Sequence, residues 1–191
     1  MDSDISVLKN IIERRRSVMP STYNGRAISR ETLEAILESA NHAPTHKLTQ
    51  PWHFVVFRGS ALEELGTELS NIYRDTTASE KFSERKMAEM GRKAVLSSAV
   101  IAIIMEVHPE LLPEWEEVAA TATAVENMWL TATAHGVGAY WSSPGAIHHL
   151  GSFLELPDNQ RCIGLFYMGY SDVSLPPSQR EDIAMKVRWR E

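Results

Sequence analysis

A chain of 191 residues is long enough to bury a core without staples and short enough to form one domain, so residues 1–191 read as a single folding unit. With 43% hydrophobic and 23% charged residues the composition is that of an ordinary globular protein. The formal net charge of −6 argues against a dedicated nucleic-acid binder, because neutralising phosphates requires a basic face.

In chain order, residues 4–16 place Ile5, Leu8, Ile11 and Ile12 on one face of an amphipathic helix that runs into Arg14-Arg15-Arg16. Before it, Met1 to Ser6 has neither the basic nor the apolar region of a secretion signal. No apolar run approaches the ~20 residues of a membrane span, so a cytoplasmic protein without a membrane partner is expected. Met19-Pro20 stops the first helix. Ser29 caps a second one with Leu33, Ile36, Leu37 and Ala40 on its buried stripe, closed by Pro44. His53 to Arg58 is a run of strand formers ended by Gly59.

Ser60 and Glu63 form a capping-box pattern that opens a third helix, to about Tyr73. Asp75 to Arg92 is charged and methionine-bearing; it reads as helical and as the most mobile part, and whether it forms a lid is left open. Ala99 to Met105 is continuously apolar, as suits a central strand covered on both faces. His108 to Pro113 is a loop. Residues 114–135 form the longest helix, with Val118, Ala122, Val125, Trp129 and Ala132 spaced as a buried stripe, ended by Gly136. Its other faces are rich in Ala and Thr, so a second helix can approach closely, in the core or at a subunit interface. Val137 to Trp141 gives a short strand, and Ser142-Ser143-Pro144 reads as a cap for a helix to about Leu154. Arg161 to Tyr170 is the last strand, and it carries the lone cysteine, Cys162. One cysteine can form no internal disulfide and has no Cys partner for a structural zinc site; it reads as a small core residue.

No Gly-x-Gly-x-x-Gly or Gly-x-x-x-x-Gly-Lys loop follows a strand, which disfavours a Rossmann or P-loop nucleotide site. Arg15, Arg16 and Ser17 supply two guanidiniums and a hydroxyl at a helix end. That set suits a phosphate monoester, and equally the offsetting of a helix dipole. The loop from His42 to Trp52, with His46, Lys47, Thr49 and Gln50, has donors enough to surround a heteroaromatic ring or simply to satisfy its own backbone. Trp141, Ser142 and Ser143, between a strand and a helix start, offer free amides to an electron-rich partner or serve as an ordinary cap. His148 and His149 are adjacent, so on a helix they diverge and cannot grip one metal; no metal site and no nucleophile, base and orienter set is expected. Lys186 and Arg188 form a basic pair in the tail, solvated or turned back to the same anion.

Three stretches together resemble one family: the helix ending Arg15-Arg16-Ser17, the run Leu33 to Pro44, and Gln50-Pro51-Trp52-His53-Phe54-Val55-Val56. The chain is similar to the FMN-dependent nitroreductases. Ala43-Pro44-Thr45-His46-Lys47 and Trp115-Glu116-Glu117 resemble most closely their short bacterial NAD(P)H nitroreductase branch. The resemblance implies an α+β fold with a mainly antiparallel four-stranded sheet flanked by helices, in an intertwined homodimer with FMN at the interface. It implies cofactor contacts from Arg15, Arg16, Ser17, His42, His46, Gln50, Trp141, Ser142, Ser143 and Arg188, with His42 and His46 offered to the partner's flavin. Thr131 is implied to meet NADH or NADPH. Where many relatives carry an asparagine that contacts the flavin, this chain has Leu48.

On this resemblance no protein side chain is catalytic, since the flavin carries the chemistry. NAD(P)H reduces FMN and leaves, and a nitroaromatic or quinone-like acceptor follows in ping-pong order. The alternatives are a same-fold flavoprotein with another outcome, such as dehalogenation or flavin modification, and a flavin-binding dimer without turnover. Neither the physiological acceptor nor the choice between NADH and NADPH is legible.

Overall fold

The computed structural model describes residues 3–191. Helix α1 (Asp4–Arg14) starts where the Ser3 hydroxyl accepts from the Ser6 amide, and α2 (Arg30–Ala40) starts where Ser29 accepts from the Thr32 amide. These are side-chain caps of the kind the sequence predicts at Ser29. Strand β1 (Trp52–Phe57), helices α3 (Ser60–Thr76) and α4 (Glu84–Val95), strand β2 (Ala99–Glu106), helix α5 (Glu114–Ala134), and strands β3 (Gly138–Ser142) and β4 (Gln160–Gly169) follow.

The four strands form one sheet in the order β1-β2-β4-β3, and every neighbouring pair is antiparallel. Because successive side chains point to opposite faces, the apolar run of β2 feeds two cores. Ile101 and Ile103 join Phe166 and Met168 beneath α2 and α5. Val100 and Ala102 join Leu165 and Tyr167 beneath α3, α4 and the short turn after β3. Every residue from Ala99 to Met105 is buried, as the unbroken apolar run requires. Cys162 is buried as well, and burial pushes its thiol up to about 11, in keeping with a core role.

Three expectations are revised, and the conformation of residues 75–92, left open by the sequence, is defined. Gly59 (φ 56°), not Ser60, precedes the first turn of α3, and no side chain caps that helix. Residues 75–92 are not a free lid: α3 continues to Thr76, and α4 packs back on it at Gly66 and Gly91. A Cβ on Gly91 would sit 2.5 Å from the Gly66 carbonyl oxygen, so the two backbones meet as closely as glycine permits. After β3 the chain makes only a 3-10 turn (Gly145–His149) rather than a helix to Leu154. Gly145 and Gly151 each disfavour helix by about 1 kcal/mol, and i to i+3 bonds such as Ile147 N to Pro144 O replace the longer ones. On α5 the buried stripe is Glu117, Ala120, Thr121, Ala124, Val125, Met128 and Ala132, whereas Val118 is exposed. Apolar and small residues ring this helix, so its periodicity could not choose the inward face.

Helix α1 rests on α5 and buries none of its residues; Ile5 (80% exposed), Val7, Leu8 and Ile12 face outward. The tail beyond Ser171 is exposed throughout and displays Ile183, Met185 and Trp189. No helix among the described residues is long and apolar enough to cross a membrane.

Candidate functional site

The end of α1 is tied to α5 through aromatic contacts. Arg15, the residue after the last helical turn, lays its guanidinium over the Trp129 ring at 4.6 Å from the centroid and reaches Glu126 at 3.7 Å; its side chain is only 19% exposed. The Trp129 indole N–H donates to the Arg16 carbonyl at 3.3 Å, and its ring meets Phe166 edge-on at 5.4 Å. Burial raises the Glu126 carboxyl above the ordinary glutamate range, with the Arg15 charge opposing the shift. Arg16 takes another role: its guanidinium donates to the carbonyls of Glu13 and Arg15 and, at 3.3 Å, to that of Pro176. Arg16 therefore closes its own helix end and holds the tail, which is the dipole-offsetting role that the spacing left open.

Beyond Arg16 the chain lies along the outer edge of β3. Ser17 bridges Ala139 in parallel, and the Val18 amide donates to the Ala139 carbonyl at 2.9 Å. The half-buried Tyr23 hydroxyl donates to the Val18 carbonyl at 2.9 Å or that of Tyr167 at 3.0 Å, pinning this segment to the sheet. In an antiparallel pair alternate residues turn their N–H and C=O away from the partner strand. Ala139 points outward to Val18, so Trp141 also points outward, past the end of the covering segment. No backbone partner meets the Trp141 amide there among the described residues. Its indole packs against Gly164, across a bulge in which Ile103 faces Gly164 but Ile104 faces Cys162. Ser142 ends β3, and Ser143 is exposed just before Pro144. Phe166, which meets Trp129, pairs with Trp141. Contacts thus run continuously from Arg15 to Trp141, and Thr131 lies half-buried two residues along α5 from Trp129.

The loop after α2 stands elsewhere on α5. His42 is exposed, and Lys47, Leu48 and Gln50 have φ of 50°, 57° and 46°. Three of the four non-glycine residues with positive φ among the described residues therefore fall in one four-residue stretch. Each such residue costs on the order of 1 kcal/mol, a strain that clusters at functional sites. The loop docks on the start of α5: His46 Nδ1 lies 2.5 Å from Glu116 Oε2, and Lys47 Nζ donates to the Leu111 carbonyl at 3.0 Å. The Gln50 amide donates to the Thr45 hydroxyl oxygen at 3.1 Å. Leu48, at the resemblance's point of departure, is 77% exposed.

Glu116 and Trp129 are thirteen residues apart on α5, about 20 Å at the helical rise. The structure therefore brings Arg15, Ser17 and Trp141 into one neighbourhood and leaves His46, with the loop to Gln50 that it anchors, at the other end of the same helix. His42 stands between them, its amide sharing the Ser39 carbonyl with Asn127 Nδ2, two residues along α5 from Trp129, while Thr131 turns to nearly the opposite face of α5 from Trp129. Arg188 lies in the exposed tail. Trp129 and Glu126 were missed as site residues. The spacing places Trp129 on the buried stripe of α5, and nothing in the sequence marks Glu126.

The family model for nitroreductases matches residues 12–170. The chain belongs to the nitroreductase family. Among its relatives, YfhC of Bacillus subtilis, which bears an NAD(P)H nitroreductase name, is 25% identical over 93% of this chain and 91% of its own length. The nitroreductase-like family protein of Bacillus cereus superposes with a TM-score of 0.83 at 27% identity, covering 100% of this chain and 99% of that one. A nitroreductase from Bacteroides fragilis, solved with bound FMN, gives a TM-score of 0.70 at 23% identity over 96% of this chain and 98% of its own. The sheet and its flanking helices are thus a nitroreductase fold, as the resemblance implied. Among the described residues no His, Cys, Asp and Glu group is placed to hold a metal ion.

Proposed function

We infer that this chain is an FMN-dependent oxidoreductase that uses NAD(P)H to reduce nitroaromatic or quinone-like acceptors. The observation that carries the reading is the outward-facing Trp141 amide on the open edge of β3, reached by an unbroken line of contacts from Arg15. A free strand-edge donor beside an aromatic wall and a partly buried guanidinium fits a flat, electron-rich ring bearing a phosphate. Arg15 and Ser17 hold the phosphate, with Arg16 donating its main-chain geometry rather than its capped guanidinium. The Trp141 amide faces the ring, with Ser142 and Ser143 beside it at the strand end, and Thr131 is the residue of α5 assigned to the nicotinamide. When bound, FMN supplies the two-electron chemistry that passes hydride equivalents from NAD(P)H to the acceptor in ping-pong order.

The distance along α5 bears on the assembly. His46 docks about 20 Å along α5 from Trp129, so it serves the flavin of a second copy, together with His42 and Gln50 of the same loop. Three features support an intertwined homodimer: the unpartnered apolar face of α1, the exposed apolar tail with Arg188, and β1 as an open sheet edge. Beside β1 runs a cleft of about 470 Å3 lined by Leu37, Trp52, Phe54 and Val56. A swapped tail would also carry Arg188 to the partner. In this arrangement residues 1–191 act as one domain.

The test is spectroscopic. Protein purified or reconstituted with FMN is expected to keep a flavin spectrum through dialysis. It is expected to bleach on mixing with NADH or NADPH, and to scatter light as twice the 21.5 kDa chain mass. Flavin that binds but stays oxidised would favour a flavin-binding dimer without turnover, and a 21.5 kDa particle would remove the second-copy histidines.

A further inference from the structure

The strained loop at Lys47, Leu48 and Gln50 persists only if its surroundings over-determine it. Its internal bonds join Thr45, His46, Thr49 and Gln50 only, and all but one are 3.3 Å or longer: Gln50 N to Thr45 Oγ1 at 3.1 Å, Thr49 N to His46 O at 3.3 Å, Thr45 Oγ1 to Thr49 Oγ1 at 3.3 Å, and both hydroxyls to the His46 carbonyl at 3.5 Å. Its two side-chain anchors outside, Glu116 for His46 and the Leu111 carbonyl for Lys47, both belong to the connection from β2 to α5.

That connection is itself locked. Glu117, fully buried, accepts from the His108 amide at 2.9 Å with one oxygen and lies 2.7 Å from His108 Nδ1 with the other. His108 Nε2 lies 3.2 Å from Glu106 Oε1, and Glu106 Oε2 lies 2.9 Å from His53 Nε2. Gln160, the first residue of β4, and Asn159 just before it donate their side-chain amides to Glu106. Adjacent acids in the first turn of α5 therefore diverge. Glu117 turns inward and fixes the helix start to the sheet, while Glu116 turns outward and takes the loop.

We propose that Glu116 is a positioning residue for the cofactor: through His46 it holds the loop from Thr45 to Gln50 in its strained, flavin-lining form. The proposal rests on the FMN reading and adds a residue that touches only the loop. A salt bridge of this exposure is usually worth little on its own. Here it is one of two outside side-chain anchors on a strained segment among the described residues, so its loss is expressed as loop order rather than as fold stability.

Three measurements on apoprotein test it, using Glu116→Ala and Glu116→Gln: FMN Kd by flavin fluorescence, thermal midpoint, and amide exchange across residues 45–50. Glu116→Ala is expected to raise the FMN Kd about tenfold, the range for a partly screened charge-assisted bond, and to speed exchange in the loop. Glu116→Gln keeps an acceptor for the His46 N–H and is expected to stay within about threefold. Both apoproteins are expected to melt within about 2 °C of wild type, as surface changes do. A wild-type Kd in Glu116→Ala, or a change that merely tracks a lower melting point, would overturn the proposal. Wild-type protein that takes up no FMN would instead defeat the flavin reading; in that case faster loop exchange in Glu116→Ala still assigns the loop to Glu116, and unchanged exchange removes it.

Discussion

Gly164→Ala is the sharpest perturbation of the Trp141 wall. A Cβ at that position would lie 1.9 Å from Trp141 Nε1 and 2.6 Å from its Cδ1, whereas ordinary contact begins near 3.4 Å, so the indole must shift by 1.5 Å or more. Overpacking of this kind costs about 1–3 kcal/mol. Removing a glycine from the unfolded chain returns about 0.4–1 kcal/mol, too little to reverse the sign. The net destabilisation is about 1–2 kcal/mol, which for a chain of this length lowers the melting point by roughly 2–8 °C. Circular dichroism melts of the apoprotein read this directly. Trp141→Phe made in the same background removes the clashing nitrogen, so the double variant is expected to melt higher than the two separate losses added together. A Gly164→Ala protein as stable as wild type, or a cycle showing no coupling, would refute the argument that Gly164 exists to seat Trp141.

Arg15→Ala is expected to weaken FMN binding about 10- to 100-fold, the loss of a charge-assisted phosphate contact, and equilibrium dialysis with unchanged flavin occupancy would take Arg15 out of that role. Glu106 supplies a pH prediction, because hydrogen bonding from Gln160, joined by His53 and His108, holds its carboxyl below the ordinary glutamate range. A depressed carboxyl stabilises the fold fully above the unfolded value near 4.5 and loses that contribution as pH falls through its lower folded value. Wild type should thus lose stability toward acid more steeply than Glu106→Gln, and parallel denaturation curves below about pH 4.5 would contradict the assignment.

The elements most legible in the sequence were those whose signal is local. The unbroken apolar run from Ala99 to Met105 announced a strand covered on both faces, and Ser29 with Leu33, Ile36 and Ala40 announced α2 with its cap and stripe. The Arg15 to Ser17 and Ala43 to Val56 stretches were legible as a family resemblance, which the match over residues 12–170 upholds. Local pattern failed on α5, where apolar and small residues on every side left no preferred face, and after Pro144, where two glycines weakened a helix that cap residues alone suggested.

What only the tertiary structure decided is which residues meet. Sequence by itself determined that a polar loop joins α2 to β1 and that guanidiniums close α1. It could not show that His46 finds Glu116 seventy positions on, or that Trp129 reaches back 113 residues to the Arg16 carbonyl. Nor could it show that Trp141 turns its amide outward, since that depends on strand parity set by pairing with β4 and by the Ser17 bridge. Periodicity encodes which face of an element is apolar. The partners of its polar groups are chosen by packing between distant segments, and the site is built from those choices.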